Sequence, residues 1–410
     1  MWWKQIFNFL TQGFKISKRK FLTSTFLVSG TLAWFFIINF YLNTSFEAIF
    51  ENIFGIWFYG VASLSAVVGV IVEKKLNRRL FLILWVLLGI SSTLSLLFFS
   101  GYTFSVIVSV FFGISLGLGL STSMACMADS TDVGERGRVS GAIVLVSFLM
   151  AFITPVIIRL LSLGLVGAVL ITALVRSSSL ISLFFDSFDK PKKDLKIHPK
   201  AGRDFFYYLF PWVIFVITAG AVFYMIPSAP ENQVLQVGSI LRFVCIAVCG
   251  FMTGIVADRF GRKRPLIIGL AMFYASFALV GFEMNDITAL IFYLATGVAW
   301  GSLLVVFLSV PGDLSASSSR AKYYAAGTML PVIVLLGVTS GPVPDLLANL
   351  ANSSSLVVIN FALFLTILPI LRATETLPPD KIKARKMKEH IDKIGKIIID
   401  SEKSMEREDS

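Results

Sequence analysis

The chain has 410 residues, of which 56% are hydrophobic and 15% charged, with a formal net charge of +11 and a mean hydropathy of +0.81. Soluble domains carry about 25% charged residues, so a soluble enzyme or a nucleic-acid-binding module is excluded. The positive charge is read as contact with anionic lipid headgroups, and the two histidines and three cysteines show no metal-ligand spacing, so neither metal nor cofactor is expected.

Twelve apolar runs of about 18–27 residues are each long enough to cross ~30 Å of hydrocarbon as a helix. Residues 1–20 precede them, with Trp2, Trp3, Ile6, Phe7 and Leu10 forming an apolar stripe ahead of Lys15, Lys18, Arg19 and Lys20. That pattern predicts a short helix in the membrane interface. Residues 21–44 follow this basic stretch as a signal peptide would, but the run is too long and lacks a small-residue cleavage site, so it stays as the first span. It begins a bundle over 21–185, continued by runs at about 53–72, 80–99, 101–127, 139–159 and 163–185. The segment 186–204 is polar, contains Pro191 and Pro199, and reads as a linker. A second bundle over 205–372 holds runs at about 205–225, 236–257, 265–282, 287–311, 323–343 and 353–371. The tail, 373–410, spaces Ile382, Met387, Ile391, Ile394 and Ile398 among lysines and reads as a second lipid-facing segment.

With these spans, all but three of the 36 lysines and arginines fall on one side of the membrane. The opposite connections carry only Glu47, Glu51, Glu231, Glu283, Asp286 and Asp345. The positive-inside rule then puts both termini in the cytoplasm, and a cell membrane is the expected location. The expected fold is all-α and integral to the membrane, with twelve transmembrane helices.

An internal repeat organises them. Gly69, Glu73, Arg78 and Arg79 recur as Gly254, Asp258, Lys263 and Arg264 at an offset of 185, and the second copy adds Arg259, Gly261 and Arg262. Asp129 with Arg136 and Arg138 recurs as Asp313 with Arg320 and Lys322 at an offset of 184, the basic residues standing seven and nine positions after the aspartate. Two signatures at nearly one offset indicate two six-helix bundles in parallel orientation. Gly254-x-x-x-Asp258-Arg259-x-Gly261-Arg262-Lys263 resembles the signature loop of the major facilitator superfamily of secondary transporters. Here the better copy follows span eight rather than span two. The first copy has Glu73 for aspartate, Leu76 for glycine and Asn77 for a basic residue. The stretch from Asp129 through Glu135-Arg136-Gly137-Arg138 to Gly141 is similar to that family's loop between spans four and five. The resemblance covers about residues 20–372. It implies two bundles rocking around a central cavity lined by spans 1, 4, 7 and 10, with one chain forming a complete pathway.

The same resemblance brings Glu73 and Asp258, at the ends of spans two and eight, near the N-termini of spans five and eleven. A carboxylate meets a positive helix end there. Asp258, and to a lesser degree Glu73, is therefore expected to latch the outward-facing state. The basic cluster around them is also expected to set topology and bind headgroups. Pro155 and the run Gly337-x-x-x-Gly341-Pro342-Val-Pro344 read as kink and packing sites in spans five and eleven.

Intramembrane charge marks function by default. Arg159 lies at the outer end of span five. Arg176, ~10 Å from the cytoplasmic face by helix rise, is expected to snorkel or to bridge helices. Arg242, ~9 Å below the outer surface, lies in a span that flanks the cavity and is the foremost candidate to face a substrate or ion. No acidic residue falls near the middle of a span. An arginine without an acid favours an anionic small-molecule cargo, organic or inorganic, because guanidinium grips carboxylate or phosphate bidentately. A neutral solute such as a sugar is the alternative, held by Trp34 and Asn39 in span one, Tyr224 in span seven and Trp300 in span ten. A non-transporting membrane sensor on the same fold is a further class. The sequence shows no cluster of catalytic side chains at a membrane face and no phosphate-binding G-x-x-x-x-G-K-[ST] loop, so neither an enzyme nor an ATP-driven pump is expected.

Overall fold

The structure is a computed structural model that describes residues 16–39, 53–98, 102–184, 201–225, 233–282, 285–339, 361, 363–380, 382–383, 387, 391 and 394. The described residues form helices and turns with no strand. In chain order the helices are α1 (Lys18–Ile37), α2 (Ile53–Lys75), α3 (Arg78–Leu94), α4 (Tyr102–Ser130), α5 (Arg136–Leu160) and α6 (Leu165–Leu183). The second set is α7 (Ala201–Met225), α8 (Gln233–Phe260), α9 (Lys263–Phe282), α10 (Asp286–Leu314), α11 (Arg320–Thr339) and the short α12 (Ile367–Arg372). Eight of them, α1 to α6 with α8 and α10, are long and apolar enough to cross a membrane.

Local chemistry sets several of the starts. The Ser17 side chain accepts the Lys20 N–H at the head of α1, and Asn285 with Thr288 forms a reciprocal capping box at the head of α10. Asn77, which stands where the family pattern has a basic residue, accepts the Arg79 N–H and caps α3. Its replacement of a charge is therefore a local fold signal.

The first eleven expected spans each coincide with one helix, but several helices run further at the basic end. α4 continues to Ser130, α8 to Phe260 and α10 to Leu314, while α5 already begins at Arg136. Asp129, Asp258 and Asp313 thus sit in the last turns of helices, where the backbone fixes their direction. Of the twelfth run, only 361 and 363–371 are described. The Gly341–Pro344 run, the 186–200 part of the linker and the N-terminal stripe lie outside the described residues.

The pairings repeat between the two sets. α2 packs on α4 as α8 packs on α10, and the sets meet through α5 against α8 and α2 against α11. One buried core is drawn mainly from α1 to α6, including Trp34, Phe58, Phe81, Trp85, Phe112 and Phe148. The other, from α7 to α12, contains Tyr208, Trp212, Phe215, Phe273, Tyr274 and Phe292. Outside, Leu64, Leu174 and Phe98 are about 70% exposed or more. In water such a surface would aggregate, whereas lipid tails solvate it. Because lipid is as apolar as leucine, helices associate by close packing at small residues. A Cβ on Gly69 would lie 1.8 Å from the Leu118 carbonyl oxygen of α4, and one on Gly254 would lie 2.4 Å from the Gly137 carbonyl oxygen of α5.

Candidate gate and cargo site

Polar contacts between the two sets of helices concentrate at the end that carries the basic loops. Asp258, in the last turn of α8, is fully buried, and its carboxylate takes four donors. Oδ1 accepts the backbone N–H of Gly137 and Nη1 of Arg262, both at 2.8 Å. Oδ2 accepts the backbone N–H of Arg138 at 2.9 Å and its Nε at 3.1 Å. Gly137 and Arg138 belong to the first turn of α5, whose N–H groups have no partner within the helix and carry the positive end of its dipole. One carboxylate from the second set thereby caps a helix of the first.

Two reciprocal pairs surround this cap. Asp313, at the end of α10, accepts from Arg136 Nη1 at 2.5 Å, Arg262 Nε at 3.1 Å and Thr376 Oγ1 at 3.1 Å. Asp129, at the end of α4, accepts from Arg78 Nη1 at 2.7 Å, from Ser317 Oγ at 3.0 Å and from Arg320. Arg136 and Arg320 open α5 and α11, so each aspartate holds the first residue of a helix in the opposite set. Arg78, Asp129 and Arg136 occupy the roles that Arg262, Asp313 and Arg320 occupy 184 residues later.

The partners also correct the register of the repeat. Aligned on the glycines, Arg78 falls opposite Lys263, but by contacts its counterpart is Arg262. Five positions separate Glu73 from Arg78 and four separate Asp258 from Arg262, so the first loop holds one extra residue. Lys263 instead donates to the Leu371 and Ala373 carbonyls at 3.0 and 2.8 Å, closing the end of α12. Glu73, buried at the end of α2, lies 3.2 Å from Arg78 Nε, without the alignment of a hydrogen bond. Gly69 likewise packs α2 on α4 within one set, whereas Gly254 packs α8 on α5 between sets. These contacts place Gly254 and Asp258 of the second copy across the seam.

Arg262 shows why the network holds its charges. Burial alone would lower its pKa, but the charges of Asp313 and Asp258 and their hydrogen bonds outweigh it and raise the value above the ordinary one. The sequence held no sign of the segment after α12. Glu375 accepts the backbone N–H of Arg262 at 2.7 Å and of Lys263 at 3.2 Å, where Gly261 adopts φ +100. That left-handed turn and the adjacent carboxylate both demand glycine. Arg259 is half-buried and Lys322 is exposed on the first turn of α11.

The described cargo candidates have different neighbours. Arg242 is buried in α8 with its guanidinium 5.7 Å from the rings of Phe243 and Tyr293. Phe243 faces Phe148 of α5 at 6.0 Å, and Phe148 faces Phe36 of α1 at 4.5 Å, so a line of rings joins the two sets beside Arg242. Trp300 is part-buried, stands edge-on to Trp212 and Phe215 at 5.7 and 4.8 Å, and packs against both cores. Trp34 is fully buried and donates to Thr93 of α3 at 2.8 Å, and Asn39 accepts from the Tyr59 hydroxyl at 2.9 Å. The side chain of Tyr224 lies outside the described residues. Arg159 is exposed at the far end of α5, and Arg176 does not snorkel: it is buried among α1, α3 and α6.

Membrane-crossing helices in two equivalent sets, stitched at one end by a duplicated signature, define an integral multi-pass membrane protein with the fold of the major facilitator superfamily. The crystal structure of the human organic anion transporter MFSD10 (TETRAN) matches with a TM-score of 0.63 over 87% of this chain and 99% of that one, at 15% identity. No family model and no curated protein matches the sequence.

Proposed function

We propose that the chain is a secondary transporter that moves an organic or inorganic anion by rocker-switch alternating access. It has twelve spans in two six-helix bundles, 21–185 and 205–372, and both termini in the cytoplasm of a cell membrane. The observation that carries this reading is the Asp258 cap on the first turn of α5. It joins the bundles through contacts that rigid-body rotation can break and remake whole, and it closes the cytoplasmic side. The conformation is thus the outward-facing one. One chain holds the complete pathway, and anionic headgroups bind the basic loops.

The anionic cargo is supported by Arg242, buried beside the ring seam, and by the placement of every described carboxylate within about a turn of a helix end or in a loop. An organic anion is also what the structurally similar human protein is named for. Counterflow in liposomes, with anionic and neutral solutes offered separately, tests the proposal. Exchange of an anion, lost in Arg242→Gln while the variant keeps its thermal stability, is the expected result. Binding without exchange would make the protein a sensor. Exchange of neutral solutes alone, unaffected by the substitution, would move the search to Trp300 and Asn39.

A further inference from the structure

Arg176 is a buried cation of a different kind from those of the gate. Arg78, Arg136, Arg138, Arg262 and Arg320 each pair with a carboxylate, whereas no carboxylate of the described residues pairs with Arg176. It is 0% exposed in α6, seven residues from that helix's C-terminal end, or ~10 Å by helix rise. Its Nη1 donates to the Thr31 hydroxyl of α1 and its Nη2 to the Trp85 carbonyl of α3 at 3.5 Å, while Nε has no hydrogen-bond partner. The guanidinium lies 4.3 Å from the Trp85 ring and 5.3 Å from the Trp34 ring. Gly89 leaves the room it fills, since a Cβ there would lie 2.3 Å from Nε.

Two ring faces, a hydroxyl and a carbonyl replace part of the water that the guanidinium loses, but none of them cancels its charge. The field therefore extends beyond the cage. Its first barrier is α1. Trp34 faces the guanidinium, and Phe36, two residues on, touches Phe148 of α5 in the line of rings where the bundles meet. The charge thus stands about one helix diameter, ~10 Å, behind the seam. At that distance and an effective dielectric near 20, one unit charge shifts the affinity of another by roughly tenfold.

We propose that Arg176 is a specificity-determining residue that sets the charge preference of the pathway without touching the cargo. The inference rests on the anion-transporter reading above and deepens it: the preference grows with the number of negative charges and is indifferent to the cargo's other chemistry. A contact residue would discriminate by shape and hydrogen bonding. A charge behind a helix discriminates by valence alone.

Succinamide, succinamate and succinate, with charges of about 0, −1 and −2 at neutral pH on one carbon frame, serve as probes. Their inhibition constants are measured against counterflow in liposomes. Arg176→Gln removes the charge. Thr31→Asp keeps the guanidinium and its ring contacts but supplies a carboxylate, which neutralises the charge by pairing and remains informative if the first variant fails to fold. Both variants are expected to leave succinamide unchanged, weaken succinamate about tenfold and weaken succinate about a hundredfold, while Arg176→Lys keeps the wild-type order. Equal losses for all three probes, or wild-type ratios retained in both neutralised variants, would overturn the role of Arg176 and leave the transporter reading intact. A wild-type protein that exchanges succinamide and neither anion would overturn both.

Discussion

At the scale of single residues, Asp258 carries the most. Its buried carboxylate accepts from two backbone donors at the head of α5 and from two arginines. Replacing a buried ion pair by apolar groups is often neutral, whereas removing one partner costs about 3–5 kcal/mol because the other charge is stranded. Such a network adds little net stability, but it penalises every arrangement that parts its members incompletely. In Asp258→Asn the amide keeps one acceptor for the helix end, removes a charge partner from Arg138 and leaves Arg262 with Asp313 as its remaining one. The closed state should lose at least ~1.4 kcal/mol relative to the open one, a tenfold or greater shift towards inward-facing protein. Labelling of a cysteine placed on the cytoplasmic side of the seam measures this, and an unchanged labelling rate would remove Asp258 from the latch. Glu73→Gln should shift the ratio less, because the described contact of Glu73 is to Arg78 of its own bundle. How far these roles were legible varied by residue. The offset of the two signatures marked Asp129, Asp258 and Asp313 as equivalent points. Their partners were hidden, because one extra residue between Glu73 and Arg78 breaks the alignment just where the contacts are made. Thr376 and Glu375 gave no signal, since a short polar segment after the last span looks like any tail.

At the scale of elements, two similar glycines have different jobs. Gly69 lets α2 lie against the α4 backbone inside one bundle, and Gly254 lets α8 lie against the α5 backbone between bundles. A methyl group at either position meets a carbonyl oxygen at under 3 Å, so the helices must separate. Gly69→Ala is expected to lower the melting temperature by several degrees with little change in the inward-to-outward ratio. Gly254→Ala should raise inward-side labelling with a smaller loss of thermal stability, because the strained seam is one that the proposed cycle opens anyway. The opposite pairing of effects would show that the first signature, not the second, spans the seam. The first eleven helices and their order were plain from hydropathy, because lipid requires a long apolar run for each span. Helix ends were not, since α4, α8 and α10 continue past their apolar stretches on the strength of the ion pairs that receive their last turns.

At the scale of the whole molecule, the two reciprocal pairs act as a single clasp. Asp129 holds the head of α11 and Asp313 holds the head of α5, one from each bundle. If the bundles move as rigid bodies, neither pair can open while the other stays closed, and their free energies add in the equilibrium between the two states. Asp129→Asn and Asp313→Asn should then each favour the inward-facing state by about tenfold, and the double variant by about a hundredfold. If α5 and α11 instead fray independently, the first substitution would already free the local helix end and the second would add labelling only near its own site. Cysteines placed beside each arm, read in both single variants and in the double one, separate these outcomes. Rigid rotation exposes both reporters in every variant. Local fraying exposes only the one beside the broken arm. The result also bears on Arg176, because a guanidinium caged by α1, α3 and α6 of one bundle keeps its distance from the seam through the cycle only if that bundle moves as a unit. Its influence on the cargo would then persist in both facing states, and the charge preference measured from either side of the membrane should be the same.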